Sequence, residues 1–390
     1  MKDRIAIIDG LRTPMCKSGG LFKDVQADQL GAWVVKELIA RTEIDPKLID
    51  ELIMGNVGNP AHAMNIARVI ALKADLPVDM PAFTVHRNCG SGNEALTTAA
   101  ARIRAGDGEV FVVGGTESMS NMPLLFGRKM TALFGDFMKT RSLGQKLGVI
   151  SGFRPSYLKP VIGIVQGLTD PVCGLMMGKT AEVLAREFHI TRREQDEYAL
   201  NSHLKAAGAI KAGQFDAELL PIPVPPRYTA VQATDDGPRE SQSMTALGKL
   251  KPYFDRRNGT VTVGNSCPLT DAAAAMLVMS ESKAQELGYE PLGFLRSHAY
   301  AALEPQRMGL GPVYATAKAL DKAGMTMKDI ELVELNEAFA AQVIANERAF
   351  DSDDFAKRCL GRDRKLGAID HNILNVNGGA IALGHPVGMT

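Results

Sequence analysis

Apolar residues come in two alternating rhythms along this chain, short runs rich in β-branched side chains and longer stretches with helical spacing. Ile5-Ala6-Ile7-Ile8 is a first short run and predicts a strand. A helical pattern over 32–39 leads through Asp45-Pro46 and Leu48-Ile49-Asp50 into a strand over 51–56. Residues 81–85 predict another strand, and an Ala-rich run over 93–104 predicts a helix that stops at the cap residue Gly106. The same order returns late in the chain. A helix over 315–320 leads through Thr326-Met327-Lys328-Asp329 into a strand over 330–335 and then Asn336, where the first copy has Asn56. Each copy then runs through a strand into a Gly-rich turn, at Cys89 in the first and at Gly378-Gly379 in the second. The alternation predicts an α/β fold and the repeated order an internal duplication, with few identities beneath it.

Composition narrows the class. The chain has 390 residues, enough for two or three domains, and 44 basic against 44 acidic side chains, so no global charge favours nucleic acid. Its five cysteines (16, 89, 173, 267 and 359) are scattered and odd in number, without a C-x-x-C pair. That usage fits a reducing compartment and predicts neither a disulfide framework nor a zinc site. The early acid Asp3 and the brevity of the first apolar run predict a strand rather than a signal peptide, and no apolar stretch approaches membrane-span length. The expected location is the cytoplasm.

Thr84-Val85-His86-Arg87-Asn88-Cys89-Gly90-Ser91-Gly92 is the segment richest in chemistry. It sets a cysteine on a glycine-flanked turn ahead of a helix, where the dipole and free N–H groups are expected to lower its pKa toward the thiolate. A small buried apolar cysteine is the structural alternative. Further segments are Gly114-Gly115-Thr116-Glu117-Ser118-Met119-Ser120, Gly259 to Ser266 followed by Asp271, Glu334-Leu335-Asn336-Glu337-Ala338-Phe339-Ala340, and Asn375-Val376-Asn377-Gly378-Gly379 through Gly384-His385-Pro386. Together, in this order and across essentially the whole chain, these segments resemble the thiolases.

The resemblance implies a thiolase-like fold: two duplicated α/β halves in a layered αβαβα arrangement with an inserted loop domain. The expected boundaries are 1–120, completed by about 251–290, for the N-terminal half; 121–250 for a loop domain over the substrate; and 291–390 for the C-terminal half. It also implies a homodimer and a reaction without cofactor or metal, coenzyme A (CoA) being a substrate. In this reading Cys89 attacks the C3 ketone of a 3-oxoacyl-CoA, His385 takes its proton, and Asn336 holds a water that helps stabilise the enolate of acetyl-CoA. Arg239 is placed near the adenine and ribose of CoA, Ser266 and Cys267 along the pantetheine arm, and Met177 near the reacting end. Cys267 stands where many relatives have serine, and Met176 where short-chain thiolases have histidine. Thiolases also carry a second cysteine in a Cys-x-Gly turn, expected here beyond Thr390, so the C-terminal half is expected to be truncated.

The stretch 124–170 fits neither copy of the repeat. It holds seven basic side chains against Asp136 and Asp170, with Phe126, Phe134, Phe137, Phe153, Leu143, Leu147 and Val149 alongside. A basic amphipathic surface is expected either to dock on an anionic membrane, peripherally at the inner face, or on a partner, or to act as a solvated lid, with Gly135, Gly144 and Gly148 interrupting its helical periodicity. With the insertion 351–357 it is similar to the β-subunits of the trifunctional fatty-acid β-oxidation complex and their bacterial relatives, which work with a hydratase–dehydrogenase α-subunit. A degradative 3-ketoacyl-CoA thiolase is therefore the expected function. The alternatives are a biosynthetic acetoacetyl-CoA thiolase, a decarboxylating ketosynthase, which would need a pair of histidine motifs not found here, and a non-catalytic acyl-CoA-binding or scaffold protein.

Overall fold

The computed structural model describes residues 3–390. Among these the principal sheet has seven strands, ordered Gly293–Phe294, Ile5–Arg12, Thr270–Ser280, Val110–Ser118, Glu51–Gly55 and Ala82–Val85, with Cys16–Lys17 also paired to Thr270–Ser280. Glu51–Gly55 runs parallel to both its neighbours and the other pairings are antiparallel. The two central strands are almost wholly buried, since helices cover both faces. Side chains of successive residues point to opposite faces. Leu52, Met54, Val110 and Val112 therefore pack with helix Ala27–Thr42, while Ile53, Phe111 and Val113 pack with helix Ser91–Ala105. The latter helix starts two residues before its expected span and ends on Gly106 at φ 83°.

The second copy is built around a separate core. Helices Met177–Glu187, Gly311–Ala323 and Ala340–Phe350 pack there, with Leu184, Val313, Val343 and Leu374 among the buried side chains. The strand expected over 330–335 is an extended segment joined to 373–375 by one parallel bridge, Val333 to Leu374. Its sense matches the parallel pairing of Glu51–Gly55 with Ala82–Val85, so the duplicated order carries a matching strand direction. Ladder pairing ends at Asn375, whose side chain replaces it. The amide accepts from Leu335 N–H at 2.8 Å and donates to Leu335 C=O at 2.9 Å.

The basic excursion begins and ends in a short hairpin, Leu124–Phe126 with Pro160–Ile162. Its glycines do not break the helices: Gly135 lies within Arg128–Lys139, and Gly144 and Gly148 within Leu143–Ser151. The break falls at Thr140–Ser142, where Ser142 and Gln145 form a reciprocal capping box, a local signal stronger than the glycine penalty. No described helix is long and apolar enough to cross a membrane.

A buried ion pair ties the segment carrying Arg239 to this framework. Arg12 meets Asp235 in a bidentate pair at 2.7 and 2.9 Å, and the same carboxylate accepts Met15 N–H at 2.7 Å. Next to it, Asp236 accepts Lys17 N–H at 3.0 Å. Asp235→Ala removes the two-point partner of the Arg12 guanidinium and leaves it Glu218, 2.6 Å from Nε, so the cost is expected at the low end of the about 3–5 kcal/mol that breaking a buried pair typically brings. A fall of that size in unfolding free energy by urea titration is expected, while an unchanged midpoint would remove the pair from the framework.

Candidate functional site

The cysteine turn follows the edge strand Ala82–Val85. Asn88 adopts φ 47°, and Ser91 Oγ closes the turn by donating to Asn88 C=O at 2.7 Å while accepting Arg87 N–H at 2.9 Å. Cys89 is thereby held at an exposed position just ahead of helix Ser91–Ala105. The expected lowering of its pKa is not found. Dehydration by the protein packed around the sulfur pushes the thiol up to about 11, and the Glu117 carboxylate adds to this, against the relief from the cysteine's own backbone hydrogen bond. At neutral pH Cys89 is a thiol that needs a base.

A candidate base lies on the opposite segment. Gly378 takes φ 78° where a Cβ would lie 2.6 Å from Ser202 C=O, and Gly379 leaves no room for a Cβ beside the Glu337 carboxylate. Glu337 is buried and accepts from Tyr198 Oη at 3.0 Å, Ser202 Oγ at 2.6 Å, Asn375 Nδ2 at 2.9 Å and Ile381 N–H at 3.1 Å. It thereby fixes the short helix Ala380–Leu383, which Gly384 ends at φ 118° against Thr270. His385 follows, buried and bridged to Leu269. Its Nδ1 lies 2.8 Å from Thr390 Oγ1 and its Nε2 3.5 Å from Asn336 Nδ2. The tautomer that donates from Nδ1 to Thr390 leaves a lone pair on Nε2. Burial pushes the imidazole down to about 4, so it is neutral and free to accept a proton.

The Cys89 and His385 segments touch through main chain. A Cβ on Gly92, in the first turn after Cys89, would lie 2.8 Å from Met389 C=O. Asn336 is therefore brought to the same place through its contact with His385. Cys267 joins them: its N–H donates to Ala338 C=O at 3.0 Å, and burial pushes its thiol up to about 12, with a charge on Cys89 adding to the shift. Ser266 is buried beside it, but its hydroxyl donates to Thr262 C=O at 2.7 Å and is committed within the protein. Met177 opens its helix next to Gly178, against which the Phe254 ring packs, and Phe254 meets Phe339 edge-on at 5.9 Å. Arg239 is exposed, two residues from Gly237, which packs on the Ala382 carbonyl. Its N–H donates to His203 Nδ1 at 3.3 Å.

Glu117 and Glu337 both lie inside motif segments, yet sequence reasoning gave neither a role. The available signal was an acid within an apolar run: Glu117 is the last residue but one of the fully buried strand Val110–Ser118. Among the described residues no group of three or more His, Cys, Asp and Glu side chains is placed to hold a metal.

The thiolase N-terminal domain family matches residues 5–282 and the thiolase C-terminal domain family residues 289–390. A 3-ketoacyl-CoA thiolase of Pectobacterium atrosepticum is 45% identical over 389 residues, covering 100% of this chain and 88% of that protein. One from Shewanella piezotolerans is 41% identical with the same coverage. Among solved structures, the acetyl-CoA acetyltransferase of Bacillus anthracis superposes with TM-score 0.86 at 34% identity, covering 100% of this chain and 89% of that one. Human mitochondrial 3-ketoacyl-CoA thiolase in complex with CoA superposes with TM-score 0.84 at 33% identity, covering 99% and 88%.

The buried imidazole gives a signed pH dependence. Below its ordinary value of 6.5 the unfolded chain protonates His385, while the folded protein stays neutral until about 4. Stability from this group is therefore lost as pH falls through that window. Denaturant midpoints of the wild type should fall relative to those of His385→Asn between these two values, and parallel curves would place the imidazole in water.

Proposed function

This chain belongs to the thiolase family, and on that premise we propose how its residues carry out the family's carbon–carbon cleavage. The enzyme is a 3-ketoacyl-CoA thiolase, an acetyl-CoA C-acyltransferase of fatty-acid β-oxidation. The observation that carries the residue assignment is the convergence of Cys89, His385 and Asn336 from both halves onto one place. Cys89 sulfur attacks the C3 ketone of 3-oxoacyl-CoA as its proton passes to His385 Nε2. Collapse breaks the C2–C3 bond, leaving an acyl thioester on Cys89 and the acetyl-CoA enolate. The proton held by His385 balances the one the enolate carbon takes up. A second CoA then attacks the thioester and leaves as shortened acyl-CoA, returning its thiol proton to Cys89. Asn336, through a bound water, supplies hydrogen bonding to the enolate oxygen together with His385.

CoA is a substrate in this reading, and the chemistry calls for no metal or further cofactor. The region 121–250 would cover it, with exposed Arg239 offering its guanidinium to the adenine and ribose. Met177 lines the reacting end, and Cys267 lines the pantetheine arm as a thiol where a hydroxyl is usual. The committed hydroxyl of Ser266 supports a shaping role for that residue. A homodimer is proposed through the strand Ala82–Val85, which has a neighbour on one side only.

The excursion over 124–170 is proposed as a peripheral docking surface for an anionic membrane. It exposes Leu124, Phe126, Phe134, Met138, Leu143 and Leu147 together with its basic side chains. Such a pairing of apolar and cationic groups suits an interface with acidic lipid headgroups.

Cys89→Ala should abolish thiolysis of a 3-oxoacyl-CoA, and His385→Ala should slow acyl-enzyme formation on the order of 10²-fold. A variant at either position that keeps the wild-type rate would remove that residue from the mechanism. For the excursion, sedimentation with acidic vesicles should retain the wild type and lose a variant with Arg128, Lys129, Lys139 and Arg141 changed to glutamine. Because the Debye length is about 8 Å at physiological ionic strength, salt should release the protein as well. Wild type that stays in the supernatant, or is captured only by a hydratase–dehydrogenase α-subunit, would exclude the membrane reading.

A further inference from the structure

We propose that Glu117 is a positioning residue for this reaction: its carboxylate fastens the main chain after His385 to the loop after Glu51–Gly55 and so sets the base against Cys89. This rests on the thiolase reading of the site and adds a residue to it. Glu117 is 1% exposed at the end of the central strand Val110–Ser118. One carboxylate oxygen accepts from Val57 N–H at 3.0 Å and Gly388 N–H at 3.1 Å. The other accepts from Gly58 N–H at 2.9 Å and Asn56 Nδ2 at 3.1 Å. All four partners are donors, so an ionised carboxylate satisfies them and an amide in its place would turn N–H groups toward N–H groups.

Space around the carboxylate is as restrictive as its bonding. A Cβ on Gly58 would lie 2.6 Å from one oxygen, and a Cβ on Gly388 would lie 2.8 Å from the other and 2.9 Å from Asn56 Cα. Gly388 therefore sits in one place, three residues beyond His385. Facing Glu117 from the elements around it are Asn56, the Met122 thioether, the Cys89 thiol and the segment of neutral His385. Burial pushes the carboxyl up to about 7 against the pull of its four hydrogen bonds. Its charge adds to the dehydration that opposes ionisation of Cys89.

Two kinds of variant separate the charge from the attachment. Glu117→Gln removes the charge, so alkylation of Cys89 by iodoacetamide should reach half-maximal rate at lower pH than in the wild type. Its kcat should fall on the order of 10²-fold, as small misplacements of catalytic groups do, with KM changed far less. Gly388→Ala keeps the charge but displaces the segment, so kcat should fall while the alkylation midpoint holds. Glu117→Asp, also charged, should restore the midpoint and not kcat. Wild-type kcat with an unshifted midpoint in Glu117→Gln would overturn the proposal. If that variant does not fold, wild-type kcat in Gly388→Ala overturns it instead. A wild type that cannot cleave 3-oxoacyl-CoA would sink the thiolase reading, whereas the alkylation midpoints report on Glu117 independently of turnover.

Discussion

Main chain packed directly against main chain, where the two halves meet, is the constraint on which the site depends. The Gly388 carbonyl lies where a Cβ on Gly55 would be 2.7 Å away and where a Cβ on Gly115 would collide with it. Gly92 stands in the same relation to Met389. None of these glycines has the positive φ that Gly378 and Gly384 adopt. They are required for clearance rather than for backbone freedom. A side chain at any of them would push the His385 segment away from the Cys89 turn, and the thiol and imidazole would part without loss of either side chain.

The same close approach sets the electrostatics. Dehydration raises Cys89 to about 11 and lowers His385 to about 4, so both groups are held in their neutral forms. A resting thiolate–imidazolium pair is therefore disfavoured. In the proposed mechanism, proton transfer becomes favourable when the sulfur forms its bond to the ketone carbon and the developing charge moves onto an oxygen that hydrogen-bond donors can meet.

Local signals in the sequence were read correctly where the physics is local. Gly106 ends the Cys89 helix because it can adopt φ 83°, and the strand before Cys89 lies within its expected span. Readings failed where a distant partner decides. The helix end was expected to favour a thiolate at Cys89, but the sign is set by surrounding protein mass and by Glu117, 28 positions away. The strand over 330–335 has the right pattern, yet pairing needs neighbours, and among the described residues its one bridge is to 373–375. In the excursion the break is set by the capping box of Ser142 and Gln145, which is legible in the chain, and not by the glycines.

Glu117 and Glu337 explain why the histidine motif is long. Ile381 N–H is held by Glu337 and Gly388 N–H by Glu117, so the eight-residue span that carries His385 is anchored at both ends by buried carboxylates. One anchor extends to Tyr198 and Ser202, and the other to the loop over 56–58 of the opposite half. A short histidine-bearing turn has few hydrogen bonds of its own to fix an imidazole to the tolerance that proton transfer demands. Two anchors on different halves supply that fixity and make the position of the base a property of how the halves join. The proposed mechanism needs such an arrangement, because its nucleophile belongs to one half and its base to the other.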